Sequence, residues 1–415
     1  MNYKYGLWVC AIAGLFLVFE FTLQVSPSVM TQFFMKEFEV DALVIGTALS
    51  AYYYSYSSMQ LIGGYCFDHF GSKRTLSVAI FVCALGTMFI ATAHSVWLLS
   101  VGRFLTGLGS ACAYVGLLFL GRQWFAAKYF FIVVGVTQFL GCAGAVLGQG
   151  PAALLVNAFG WRGTLVGLSG VGYLLTLLAY FFVRDYTGSD VKKIVKEKIP
   201  TSVRLKFIFS EAQIWVVGAY AFFIFLPIVC FAALWGVPFL QKFYQMSTAM
   251  AALACSMVWI GMGLGSPLAG WISERIASRN IPLWGGAVLG VVTTLLILFV
   301  PMSLFWLFVM LFLFGAATAG QSLSFNVIND ITPHRFLGAT MGLNNLLIVI
   351  SGAIAQPLVG IFLRYGWDHS MLDGVPQYSI HNYQYALLIL PISCAIAALI
   401  GKFAIVETRC LSRAC

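Results

Sequence analysis

Charge is scarce in this chain: Asp, Glu, Lys and Arg make up 9% of its 415 residues, against about 25% in an ordinary soluble domain. With 61% hydrophobic residues and a mean hydropathy of +0.92, that scarcity excludes a soluble enzyme and a disordered chain. Long polar stretches are missing too, leaving little room for an independent catalytic or signalling domain. A non-transporting sensor would need one, although sensing tied to transport stays open. The ten cysteines form no CxxC pair and none falls in an expected outer loop. They offer no disulfide framework and no metal site, and read as small hydrophobes. The five histidines are scattered, with no acid cluster and no nucleophile beside a base, which argues against a polytopic enzyme. No cofactor is implied.

What the chain has is apolar runs of membrane length. They predict twelve spans, near 6–28, 42–66, 74–93, 96–120, 128–156, 163–184, 213–240, 248–272, 282–301, 304–326, 337–363 and 383–406. The first follows Lys4 without a small-residue cleavage site, so it reads as a retained helix. An even number of spans puts both termini on one side. If that side is the cytoplasm, 18 of the 23 Lys and Arg residues lie inside, while Lys36, Arg162, Lys242 and Arg364 lie outside and Arg103 sits within a span. The net charge of +9 therefore reflects membrane orientation rather than nucleic-acid binding. The expected setting is a bacterial inner membrane, with both termini cytoplasmic.

The longest polar stretch, Asp185 to Ser210, divides the chain nearly in half and carries Lys192, Lys193, Lys196, Lys198, Arg204 and Lys206. It reads either as a solvated linker or, through Val191, Ile194 and Val195, as an interfacial helix on anionic lipid. At an offset of 206, Pro151 falls on Pro357, Gly160-Trp161 on Gly366-Trp367, Gly64 on Gly270, Asp68 on Glu274, Lys73 on Arg279 and Asp41 on Ser247. A parallel repeat follows: a bundle over 1–184, a basic linker over 185–210 and a second bundle over 211–415.

Gly64, Asp68, Gly71, Lys73 and Arg74 spell GxxxDxxGxKR between spans two and three, which resembles the signature loop of the major facilitator superfamily. Arg103-Phe-Leu-Thr-Gly107-Leu-Gly109 resembles that superfamily's second motif, with Thr106 where glutamine is more usual. The resemblance covers essentially the whole chain. It implies an all-α membrane protein of twelve helices in two pseudo-symmetric six-helix bundles, with spans one, four, seven and ten lining a central cavity. It also implies that Asp68 latches the inner end. On physical grounds Gly64 permits close helix approach, and Asp68 can accept from helix N-termini or pair with basic residues. Lys73 and Arg74 double as positive-inside anchors. The second copy keeps Glu274 and Arg279, but Ala277 replaces the glycine, which puts an equally tight turn in doubt. The exporter pattern GxxxGPxxGG is degenerate here: Gly150-Pro151 is kept, but Val146 and Leu154-Leu155 replace its glycines. That favours uptake over proton-driven export of a drug or a metabolite such as a siderophore. The opening helix from Glu20 to Met30 resembles a pattern in superfamily members from gamma-proteobacteria, including nutrient importers of intracellular pathogens.

Glu20 and Arg103 are the two charges inside spans, at closely matching depths. Each costs about 2.5–3.5 kcal/mol on insertion scales, so each needs a wet cavity or a partner. The functional reading is proton coupling: a moving helix switches Glu20 between proton-loaded and proton-released states, and Arg103 pairs with Glu20 or with an anionic group on the cargo. The plain alternative is a fixed ion pair between spans one and four. Gln24, Ser110, Tyr114, Gln138, Gln321, Ser324, Asn344 and Asn345 are candidate cavity groups, joined by Tyr52 and Tyr56 in a polar span two and by Trp235 and Trp259. For any one of the polar groups, an interhelical hydrogen bond is the plain alternative. The expected function is a proton-coupled secondary transporter working by alternating access, monomeric in the bilayer. Its cargo is a small polar or zwitterionic metabolite, with an amino acid or small peptide favoured.

Overall fold

The structure is a computed structural model that describes residues 3–125, 129–184, 201–333, 336–372 and 375–410. It is built from helices: α1 (Tyr3–Val25), α2 (Thr31–Phe38), α3 (Ala42–Ala91), α4 (Val96–Trp124), α5 (Phe130–Leu147), α6 (Gly150–Phe182), α7 (Thr201–Ser210) and α8 (Ala212–Pro227). A π turn over Ile228–Trp235 leads into α9 (Gly236–Tyr244), followed by α10 (Thr248–Arg275), α11 (Asn280–Phe299), α12 (Leu304–Ala317), α13 (Gly320–Ile331) and α14 (Leu337–Tyr365). A two-stranded hairpin, Met371–Leu372 against Val375–Pro376, precedes α15 (Ile380–Ala386) and α16 (Ile389–Leu399).

Ten segments among the described residues are long and apolar enough to cross a membrane. One of them, 132–182, contains Gly160 at φ 71, ψ 166. Gly71 breaks α3 in the same way, at φ 78, ψ 169. Only glycine populates that region readily, because a Cβ would clash with the backbone. The two breaks resolve the described residues into twelve membrane-length runs close to those predicted, several reaching a turn further than hydropathy indicated. The predicted interfacial helix at Val191–Val195 lies outside the described residues, and Thr201–Ser210 is helical.

Local chemistry explains several of the ends. Asp41 Oδ1 accepts the backbone N–H of Val44 at 3.0 Å, and Ser247 Oγ accepts that of Met250 at 3.3 Å. The two N-caps that the repeat superimposes are thus both formed.

Three apolar cores hold the helices. One draws only on residues between Val9 and Val183, a second only on residues between Ile214 and Ile405, and the third joins both sets around Tyr53, Trp235 and Trp259. Contacts between the two sets gather at the end bearing Asp41. There Arg364 Nε lies 3.3 Å from Asp41 Oδ2, and Ala42 N–H donates to Tyr378 Oη at 2.9 Å. A Cβ added to Gly46, Gly352 or Gly360 would sit 2.7–2.8 Å from atoms of the opposite set. At the end bearing Arg74 the spacing is looser: a Cβ on Gly63, Gly270 or Gly338 would meet nothing within 4 Å. The two sets are thus joined closely at the end bearing Asp41.

Candidate functional site

Pro27 shapes the first part of the site. It has no N–H to return to the carbonyl four residues earlier, that of Leu23, and α1 gives way to a 3-10 turn at Ser26–Val29. Arg103 takes up that carbonyl, with Nη1 donating to Leu23 O at 3.0 Å and Nε to Leu49 O at 3.3 Å. Its guanidinium carbon lies 4.6 Å from the centroid of the Tyr52 ring. Gly107 makes this approach possible, since a Cβ there would stand 2.1 Å from Tyr52 O. A void of about 10 Å³, the volume of a single water, lies beside Arg103 and Ser26, and the Ser26 hydroxyl has no partner among the described residues.

Glu20 is 1% exposed. Tyr52 donates its hydroxyl to Glu20 Oε1, while Oε2 has no partner among the described residues. Glu20 and Arg103 therefore form no ion pair; they are neighbours through Tyr52, which touches the acid with its hydroxyl and the base with its ring. Of the two partners considered for Arg103, Glu20 or an anionic group on the cargo, the first is not taken up; Pro27 leaves the Leu23 carbonyl unclaimed and the guanidinium turns to it. Tyr56 extends the aromatic run, its ring 5.7 Å from that of Tyr52, and Ser110 and Gln24 are buried close by in sequence to Arg103 and Glu20. Tyr114 is half-buried. Half-buried Gln138 reaches only the thiol of Cys142, at 3.9 Å.

On the other side of the molecule, Ser324 Oγ donates to Gln321 O at 2.6 Å and accepts Asn344 Nδ2 at 2.9 Å. Asn345 Nδ2 crosses to Gln60 Oε1 at 2.7 Å, so Gln60, absent from the expected set, belongs to it. Trp259 packs edge-on against Phe21 at 6.4 Å, with its N–H unpartnered among the described residues. Trp235 is fully buried at the end bearing Asp41 and donates to Gln356 O at 3.2 Å, so in this structure it packs between the two sets of helices. Two glutamines that sequence reasoning missed hold the π turn beside it. Gln149 Nε2 donates to Ala232 O, and Gln356 Nε2 donates to Val229 O at 3.0 Å. They lie one residue away from the 206 offset, which is the signal that would have found them.

The helices long and apolar enough to cross a membrane enclose a buried acid and a buried base, Glu20 and Arg103. The model of the Major Facilitator Superfamily matches residues 10–355 and 230–409. The chain belongs to that superfamily. It is 24% identical over 364 residues to the hexuronate transporter of Bacillus subtilis (strain 168), covering 81% of this chain and 83% of the relative. It is 23% identical over 392 residues to the probable galactarate/D-glucarate transporter GudP of Escherichia coli (strain K12), covering 85% and 86%. Its fold matches a bacterial homologue of the human lysosomal transporter Spinster, solved inward-facing and unoccupied, with a TM-score of 0.80 at 16% identity over 98% of each chain. A D-xylose-proton symporter matches with a TM-score of 0.75 at 15% identity over 99% and 100%. The protein is thus a multi-pass membrane transporter and not an enzyme.

The superfamily's signature loop is seen in part. The side chains at Gly64 and Asp68 lie outside the described residues. Gly71 makes the break described above, Lys73 Nζ stands 4.7 Å from the Tyr180 ring, and Arg74 is exposed. In the second copy the two retained charges lie apart. Glu274 is exposed, and Arg279 Nε pairs instead with Asp330 Oδ2 at 2.9 Å, with Nη1 on Ser273 Oγ at 3.1 Å. Ala277 still makes a tight turn, in the left-handed region at φ 49. The tail completes the cluster. Thr408 donates to Asp330 at 2.9 Å, and Glu407 accepts the backbone N–H of Arg279 at 2.9 Å and of Asn280 at 3.1 Å. Burial raises the Glu407 carboxyl, but the Ser278 hydroxyl and the backbone N–H groups of Arg279, Arg409 and Asn280 outweigh it and hold it down at about 2. Asp330 and Glu407 escaped the sequence reading because each fell just beyond the predicted end of its span.

Proposed function

We propose that this transporter takes a small polar metabolite into the cell across a bacterial inner membrane, by alternating access of two bundles divided at the basic linker, with protons coupled through Glu20. Both termini then lie in the cytoplasm and the end bearing Arg74 faces inward. The observation that carries the coupling is Glu20: a carboxyl buried at mid-membrane, held on one oxygen by Tyr52 and free on the other, with no cation in ion-pair reach among the described residues. Such a group is best neutral while enclosed and gives up its proton when water reaches it, which is the cycle a proton carrier needs. An amino acid or small peptide is the first cargo considered; the free Glu20 oxygen, Gln149 Oε1, Gln356 Oε1 and Asn344 Oδ1 are buried acceptors without partners among the described residues. A cargo rich in N–H or O–H groups suits them. Arg103 now supports the joint after α1 rather than a cargo carboxylate.

A second reading, a polyhydroxy acid, is favoured by the names of the hexuronate and galactarate/D-glucarate relatives, and its hydroxyls meet the same acceptors. The test is uptake into proteoliposomes holding the full-length protein, under an imposed proton gradient, for labelled amino acids, dipeptides, glucuronate and glucarate. Accumulation of one class by wild type is expected. Glu20→Gln should still exchange that solute down its gradient but no longer concentrate it. Unaltered gradient-driven accumulation by Glu20→Gln would remove the coupling assignment.

A further inference from the structure

A second cavity lies away from the site, on the outer face of the first six helices. It encloses about 400 Å³ and is lined by Met59, Cys66 and Phe70 on one side, by Arg74, Thr75, Val78, Ala79 and Val82 on another, and by Leu108, Gly109 and Cys112 at its floor. Its walls are the two parts of α3 on either side of Gly71, and its floor is the strip of α4 between them. That strip continues to Phe104 and Trp97, which are exposed on the apolar surface, as are Val78 and Phe70 at the rim. The cavity is thus a crevice open to the hydrocarbon of the bilayer. Its polar lining is nearly silent: Thr75 Oγ1 is spent on Cys66 O at 3.0 Å, and the two thiols behave as hydrophobes.

The exception is Arg74, exposed at the mouth, with no carboxylate in ion-pair reach among the described residues. From Arg74 to Val82 the wall runs about 12 Å at roughly 1.5 Å per residue, which fits within one leaflet of a core about 30 Å thick. An apolar slot of that length, ending in a guanidinium at the headgroup level, matches one ligand chemistry: an acyl chain joined to a phosphate.

We infer that this crevice is a binding site for an anionic phospholipid, with one acyl chain between the two parts of α3 and the headgroup phosphate on Arg74. The lipid fills the wedge beside the Gly71 break and braces both walls against α4. The inference depends on the membrane fold and not on Glu20, so the uptake experiment above leaves it untouched.

The test is thermal unfolding of the full-length protein in dodecyl maltoside, with added palmitoyl-oleoyl phosphatidylglycerol or with phosphatidylcholine of the same chains. Wild type should gain several degrees from phosphatidylglycerol and less from phosphatidylcholine. Arg74→Gln should bring the phosphatidylglycerol shift down to the phosphatidylcholine value. Val78→Trp, from the exposed rim, or Leu108→Trp, from the half-buried floor, fills the slot and should abolish both shifts. Shifts of equal size in all four proteins would overturn the proposal, as would glycerol phosphate alone reproducing the wild-type gain. Loss in Arg74→Gln with full retention in both tryptophan variants would overturn the acyl-chain slot.

Discussion

The two buried arginines, one in each half, are handled in opposite ways. Arg279 has an acid at 2.9 Å, and that acid is further held by Thr408. Arg103 has no acid: two carbonyls and the face of Tyr52 share its charge, and the nearby Glu20 is left with a free oxygen. A charge matched by a countercharge is a fixed joint. A base and an acid kept apart by one tyrosine can each be reached by something else, and that is the arrangement a working site requires. On the proposed coupling the first half would carry the chemistry, while the second half holds a clasp between α10, α11, α13 and the tail.

The comparison is broken most severely by removing one member of the matched pair. Arg279→Leu or Asp330→Leu alone should lower stability by about 3–5 kcal/mol, because a single buried charge is left behind, whereas the double replacement should be close to neutral. Thermal unfolding of the three variants in detergent checks this, and a double variant as unstable as the singles would count against it. At the other arginine the expected effect is smaller. Arg103→Leu strands the Leu23 carbonyl, at a cost of about 1–3 kcal/mol. Pro27→Ala restores an N–H for that carbonyl, so the same Arg103 substitution should cost about 1 kcal/mol less in the Pro27→Ala background. Additive effects across this double-mutant cycle would detach Arg103 from the joint.

The smallest effect concerns the tail. Glu407→Gln should cost about 1 kcal/mol through weakened capping of α11. Because the folded carboxyl titrates near 2, below its ordinary 4.5, its contribution is complete above pH 4.5 and fades as the pH falls towards 2. The wild-type advantage should thus stay constant from about pH 5 to 8 and shrink only in stronger acid.

The fold was largely legible because lipid leaves few alternatives. Hydropathy marked the runs, and Gly71 and the Asp41 and Ser247 caps lie where the motifs put them. The candidate site's pairings were less legible than the fold. Glu20, Tyr52 and Arg103 stood out by charge and position, but who meets whom turned on Pro27, a residue whose effect is to leave a carbonyl unclaimed. Asp330, Glu407, Gln60, Gln149 and Gln356 gain meaning only from partners distant in sequence, and no local pattern announces such partners.

The Gly71 and Gly160 breaks each occupy one residue. A joint that short contains no slack: any swing of one helix is passed at once to the next, and neither can be lengthened or rotated alone. Inserting or deleting a residue at either glycine would therefore rotate the following helix by about 100° and misplace every side chain on it.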